Sequence, residues 1–161
     1  MVVGIAALAV ASDPELTLAA VSVGSGVALC IYDPVVGVGG MLHAMLPDSA
    51  IAEERARVQP GMFLDTGIPC LLDSARQLKL DPQRAIVCVA GGAEILDCRE
   101  PLSVGRRNVD ALRECLGRHG LRVAAENLGE TVNRTLSLRL ATGEVRLRAS
   151  GHLNEIILWQ T

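Results

Sequence analysis

Aromatic side chains are nearly missing from this chain, which has one Phe, one Tyr and one Trp in 161 residues. A protein that grips nucleic acid by stacking on its bases needs several, so that mode of binding is excluded. Strong charge of either sign is missing too. The formal net charge is −3, and the arginines, which heavily outnumber lysine, are scattered and form no basic stripe. Nothing here indicates a polyanion, and no nucleic-acid partner is expected. No CxxC pair occurs among the five cysteines Cys30, Cys70, Cys88, Cys98 and Cys115, and their odd number argues against a disulfide framework. Most lie in apolar runs, where a free thiol packs as a small hydrophobe. They read as reduced core residues of a cytoplasmic protein, with no metal and no cofactor implied.

Long hydrophobic runs are also lacking. The apolar stretch at residues 2–11 has no basic leader and is too short to cross a bilayer, so it reads as a strand. No membrane insertion is expected. With no linker, low-complexity block or repeat, residues 1–161 read as one domain. Its core has to be built from Ala, Val, Leu and Ile.

What is present is a succession of short apolar runs with clear punctuation. Residues 4–11, 16–23 and 27–32 read as strands, the last two parted by Gly24-Ser25-Gly26 and the third closed by Asp33-Pro34. A Gly-rich strand follows at 36–46. Between 61 and 80 the spacing turns helical, with Phe63, Ile68, Leu71, Leu72, Ala75 and Leu78 near one face and Pro69 marking an early turn or a kink. Residues 85–90 form a buried strand that ends in Gly91-Gly92-Ala93, a tight turn with no GxGxxG or Walker pattern around it. A second helix spans 107–119, striped by Val109, Leu112, Cys115 and Leu116 and stopped by Gly120. Strands at 121–125, 134–140 and 144–149 follow, the last two joined by the hairpin loop Ala141-Thr142-Gly143. The apolar Ile156-Ile157-Leu158-Trp159 packs on its own domain or across an interface.

One constellation carries chemistry. His43, on the Gly-rich strand, faces back toward the Gly24-Ser25-Gly26 turn, an arrangement suited to a small nucleophile activated by imidazole. The expected nucleophile position is Gly26, which has no side chain. Ser25 is adjacent, but neighbouring residues of an extended chain point to opposite faces, so it reads as a turn former and only a poor substitute. Cys30 shares the parity of Gly26 yet lies about 13 Å further on, at ~3.3 Å per residue. It reads as core. His119 near a helix end is a dipole partner, His152 has no motif around it, and Asn108 caps its helix or bridges a neighbouring loop.

These residues resemble a known family, the CheD chemoreceptor glutamine deamidases. The family's Gly-Ser-Cys-Val-x-Val/Leu-x-x-x-Asp is similar to Gly24-Ser25-Gly26-Val27-Ala28-Leu29 through Asp33. Its Gly-Gly-x-x-His-x-Met-Leu-Pro is matched by Gly39-Gly40-Met41-Leu42-His43-Ala44-Met45-Leu46-Pro47. Its Phe-Gly-Gly-Ala becomes Ala90-Gly91-Gly92-Ala93, and its Ile-Gly-x-Arg-Asn-Val is nearly intact from Val104 to Val109. A late Asp-x-Gly-Gly-x-x-Gly-Arg is eroded to Asn127-Leu128-Gly129-Glu130-Thr131-Val132-Asn133-Arg134, while Thr-Gly-x-Val persists from Thr142 to Val145. Each piece is weak alone, but their common order and spacing are specific.

The resemblance implies an α+β fold, an α-β-β-α sandwich of mixed sheets flanked by helices. It implies hydrolysis of receptor glutamine amides to glutamate by a cysteine-histidine pair, with a threonine orienting the imidazole. Carried over, the histidine is His43, the cysteine position is Gly26, 17 residues earlier, and the threonine position is Ala20. Two of those three positions are chemically empty. The chain therefore reads as a catalytically impaired or inactive homologue that acts by binding protein, either a methyl-accepting chemoreceptor or a CheC-type phosphatase. The alternative is an active deamidase in which Ser25 or a differently activated water works with His43.

Overall fold

The computed structural model describes residues 1–94 and 103–160; Cys98 lies outside them. Along the described residues run β1 (Ala7–Ala11), β2 (Thr17–Val23), β3 (Val27–Asp33), β4 (Val38–Ala44), α1 (Glu53–Val58), α2 (Leu64–Gln77), β5 (Ile86–Gly91), α3 (Val104–Arg118), β6 (Val123–Leu128), β7 (Arg134–Arg139), β8 (Val145–Ala149) and β9 (Ile156–Trp159). The strands form a five-stranded sheet in the order β1-β4-β3-β5-β6 and a four-stranded sheet in the order β2-β7-β8-β9. Only the β5–β6 pair is parallel among these neighbours.

Strands β3 and β4 lie at the centre, and every residue of both is buried. That is why residues 27–32 read as a continuous apolar run and not as an alternation. The period of two still decides which core each side chain joins. Val27, Leu29 and Ile31 meet Leu64, Ile68, Leu71 and Leu72 of α2 and Leu112 of α3. Ala28, Cys30 and Tyr32 face the second sheet and meet Leu18, Leu136 and Leu138. Each such buried leucine or isoleucine contributes about 1.5–3 kcal/mol. At Gly39 a side chain would collide with Leu138 and Leu140 of the opposite sheet, so the glycine lets the two sheets close on each other.

Mixed sheets with flanking helices make this an α+β chain. Helices α2 and α3 pack on the same face of the five-stranded sheet, giving the described residues helix, sheet and sheet layers. The resemblance implies helices on both outer faces. The outer face of the second sheet has no apolar stripe that would need one: Thr135, Ser137 and Arg139 alternate with buried Arg134, Leu136 and Leu138 along β7.

Element boundaries moved for local reasons. The first strand starts at Ala7 and not at residue 4, because Ala6 has φ of +61° and breaks the extension. Helix α3 starts at Val104, three residues before the expected 107, because the Ser103 hydroxyl caps it by accepting from the Arg106 N–H at 3.2 Å. Pro69 sits inside α2. The C-terminal apolar segment is resolved as β9, pairing with β8, and Leu158 and Trp159 pack on the inter-sheet core. Cys30, Cys70, Cys88 and Cys115 are free thiols.

Candidate functional site

The loop 24–26 joins β2, in one sheet, to β3, in the other. It is held by the Gly91-Gly92 turn at the end of β5. The Gly92 N–H donates to the Gly26 carbonyl at 2.7 Å, and the Ala93 N–H donates to the Gly24 carbonyl at 2.9 Å. Gly91 has φ of +121°, and a Cβ there would strike the Gly26 carbonyl oxygen. Only glycine fits.

Asn108 of α3 closes the loop from the helix side. It is fully buried, and its Nδ2 donates to the Ser25 carbonyl at 2.8 Å and to the Met45 carbonyl at 2.9 Å. One side-chain amide thus ties the loop before β3 to the end of β4. Its Oδ1 is buried without a hydrogen-bond partner among the described residues. Asn108 is a bridge, while Ser103 supplies the helix cap.

Gly26 lies between these ties. A Cβ built on it would be 2.5 Å from the Ala44 carbonyl oxygen and 3.6 Å from the Met45 Cα. Those are main-chain atoms at and just beyond the end of β4, which cannot rotate aside as a side-chain tip can. The β3–β4 register pairs Ala28 with His43, so His43 lies diagonally across from Gly26, on the face directed at the second sheet. The register thus brings Gly26 and His43 to neighbouring positions on one face of the hairpin.

The His43 ring is almost entirely enclosed, at 3% exposure. Its Nδ1 has no hydrogen-bond partner among the described residues. Burial pushes its pKa below the ordinary histidine value, against a smaller opposing effect of a hydrogen bond with the Val3 backbone. The imidazole is therefore neutral at pH 7. Ala20 on β2 is fully buried opposite Leu136 and shares the inter-sheet core with Ala28. Its methyl group can neither donate to nor accept from a ring nitrogen, so it cannot fix a tautomer. Ser25 is half-buried, and its carbonyl, not its hydroxyl, is what Asn108 engages.

The N-terminal residues form a part of the site that sequence reasoning missed. Val3 donates its N–H to the Ala19 carbonyl at 2.8 Å, and Ala6 donates to the His43 carbonyl at 2.7 Å. The segment therefore crosses from β2 to β4 beside the histidine. The double reach of Asn108 was only half visible, as one of two options. His119 is the C-cap of α3, as its place near a helix end suggests. His152 is exposed beyond β8. Among the described residues, no group of three or more His, Cys, Asp and Glu side chains is arranged to hold a metal ion.

Comparison with known proteins decides the family. Residues 45–149 match the model of the family described as CheD, chemotactic sensory transduction. The chain belongs to the CheD family. A relative from Solibacter usitatus, named probable chemoreceptor glutamine deamidase CheD, is 40% identical over 157 residues, covering 98% of this chain and 93% of the relative. A CheD protein of the same description from Desulforamulus reducens is 40% identical, covering 96% of this chain and 93% of its own. Another, from Syntrophus aciditrophicus, is 38% identical with 94% of each chain covered. The CheD family match begins at residue 45, just beyond His43, so the loop 24–26 and the histidine lie outside it.

Proposed function

We propose that this chain is a chemotaxis protein of the CheD type that binds a chemoreceptor in the cytoplasm without hydrolysing its glutamine side chains. One observation carries the reading: Gly26, which the family resemblance aligns with the cysteine, has no side chain and no room for one. Hydrolysis of an amide by a cysteine-histidine pair proceeds through a thioacyl intermediate, which requires a thiolate at hydrogen-bond range of the imidazole. Here the Cβ that would carry the thiol meets the Ala44 carbonyl oxygen at 2.5 Å. The remaining base is poorly equipped as well. His43 is buried, its Nδ1 is unpaired among the described residues, and Ala20 offers it no hydrogen bond. A triad stripped of its nucleophile keeps only the residual effect of binding and backbone dipoles.

The three carbonyls of the loop 24–26, by contrast, each accept a hydrogen bond, from Ala93, Asn108 and Gly92, so the shape of the loop is held without a catalytic side chain. The test pairs binding with chemistry. A chemoreceptor cytoplasmic fragment is incubated with this protein, with its His43→Ala and Gly26→Cys variants, and with a cysteine-bearing CheD protein as positive control. Calorimetry reads binding, and mass spectrometry reads the gain of about one mass unit that each deamidated glutamine shows. The expected result is binding by the wild-type chain with no mass gain, and none with Gly26→Cys either, since β4 blocks the new side chain. A gain by the wild type that His43→Ala abolishes overturns the proposal and requires another nucleophile.

A further inference from the structure

Where β2, β7 and β8 meet, in the second sheet, lies a cavity of about 400 Å³ that plays no part in the chemistry above. Its walls include Ser22 from β2, Asn133 and Arg134 at the start of β7, and Arg148, Ser150 and His152 at the end of β8. None of the residues lining it is acidic, although the whole chain carries a net charge of −3. We infer that this cavity is a recognition site for carboxylate side chains on an acidic segment of a protein partner.

Several independent features point there. The β2–β7 register slips between Ala20 and Val23, a bulge, and Ser22 within it has φ of +57°. A residue other than glycine is held there only by surrounding structure, and bulges of this kind re-aim side chains at the edges of functional sites. The Arg148 side chain is exposed and makes no hydrogen bond or ion pair among the described residues. Its guanidinium is thus available for a bidentate contact with a carboxylate. Arg134 is different. It is buried, and it donates to Asn127 at 2.5 Å, to the Val132 carbonyl at 2.9 Å and to Glu130 at 3.2 Å. It forms a fixed wall, and its counter-ion Glu130 lines the neighbouring cavity instead of this one. Ser22, Ser150 and His152 add polar groups that can complete the shell of an oxyanion.

Position argues for a protein carboxylate over a free anion, and here the inference rests on the proposed function. Ser22 precedes Gly26 by four residues, so the two lie within about 13 Å along an extended chain. On a helix, side chains three or four apart are about 5–6 Å from one another, and those two turns apart lie about 11 Å apart. The inference sets a receptor helix with one side chain at the loop 24–26 and residues one or two turns away at the cavity that Ser22 and Arg148 line. Acidic residues at those places would find the unpaired arginine.

The test uses the full chain and two fluorescent helical peptides. They share a central glutamine and differ in carrying glutamates or glutamines one and two turns away. Anisotropy is read for the wild type, for Arg148→Ala, and for Arg122→Ala, which removes the same charge next to β6 at the other end of the five-stranded sheet. The glutamate peptide is expected to bind the wild type more tightly. Arg148→Ala should weaken it about fivefold to tenfold, with no change for the glutamine peptide, and raised salt should shrink the difference. Melting curves of both variants confirm that each is folded.

Equal binding of the two peptides, or an equal loss with Arg122→Ala, overturns the inference. So does displacement of the glutamate peptide by millimolar inorganic phosphate at equal affinity, because the site would then hold a free anion. If the receptor fragment binds but Arg148→Ala leaves its affinity unchanged, the cavity assignment fails and the receptor-binding function stands. If the fragment does not bind while the Arg148-dependent peptide preference persists, the cavity assignment stands and the function fails.

Discussion

Gly26 suits its backbone surroundings, and Lys79 does not. At Gly26 the main chain of β4 is so close that any Cβ would sit 2.5 Å from a carbonyl oxygen, and the residue is the one that fits. Lys79 follows α2 with φ of +68°, a conformation in which a side chain is strained. Its N–H donates to the Arg76 carbonyl at 2.8 Å, and the next N–H, of Leu80, reaches the Ala75 carbonyl at 3.1 Å. That pair of bonds is the Schellman termination, whose left-handed position is usually glycine. Lys79 is exposed, so replacing it loses no core packing. Lys79→Gly is therefore expected to stabilise the protein by about 0.5–1 kcal/mol, raising the melting temperature by roughly 1–4 °C. An unchanged or lower melting temperature in calorimetry would show that the helix end is not held in this conformation in solution.

Among the elements, α3 does more than cover a sheet. Through Asn108 it fixes the spacing between the end of β4 and the loop before β3, with hydrogen bonds of 2.9 and 2.8 Å. Asn108→Ala leaves two carbonyls without that donor in a buried setting, at about 1–3 kcal/mol for each buried group left unpaired. A loss of about 2–4 kcal/mol in urea unfolding is expected, with faster amide exchange at Gly92 and Ala93, which bond to the same loop. Full amide protection in a variant with wild-type stability would refute the bridging role. This contact also shows the limit of what could be read from the residues alone. The strands around the loop 24–26 were legible because apolar runs broken by Gly, Ser and Asp-Pro mark local geometry, and so were α2 and α3, whose apolar stripes recur at helical spacing. The six-residue α1 was not, being too short for a period to show. Asn108 gave only a choice between cap and bridge, since its partners, 83 and 63 residues away in sequence, are set by how α3 packs. The same holds for Val3 at His43. Gly26 and His43 stood out from the turn and the Gly-rich strand, Ala20 came only through the family resemblance, and the hairpin register does bring Gly26 and His43 together.

For the molecule as a whole, two buried titratable groups make stability depend on pH with the same sign. His43 lies against the inter-sheet core. Burial, only partly opposed by the hydrogen bond with Val3, lowers its pKa from the ordinary 6.5. As the pH falls below that value the unfolded chain takes up a proton that the folded chain does not, and stability falls with it. At the other end of the five-stranded sheet, burial raises the Asp33 pKa, but this is outweighed by Arg84, whose Nε donates at 2.9 Å, and by the N–H groups of Asp81 and Val35. The net shift is downward from 3.8. Asp33 therefore contributes stability that is present above the unfolded carboxyl's range and is lost as the pH falls through its own depressed value. Urea unfolding followed from pH 8 downward should thus show a plateau, a first decline beginning near the ordinary histidine pKa of about 6.5, and a second, in the carboxylate range, as Asp33 takes up its proton. His43→Asn should remove the first decline and keep the second, because it deletes the titrating ring while leaving β4 paired to β1 and β3. If the wild type and His43→Asn lose stability in parallel between pH 6.5 and 5, the imidazole is solvated in solution. The enclosed histidine on which the non-catalytic reading partly rests would then be withdrawn.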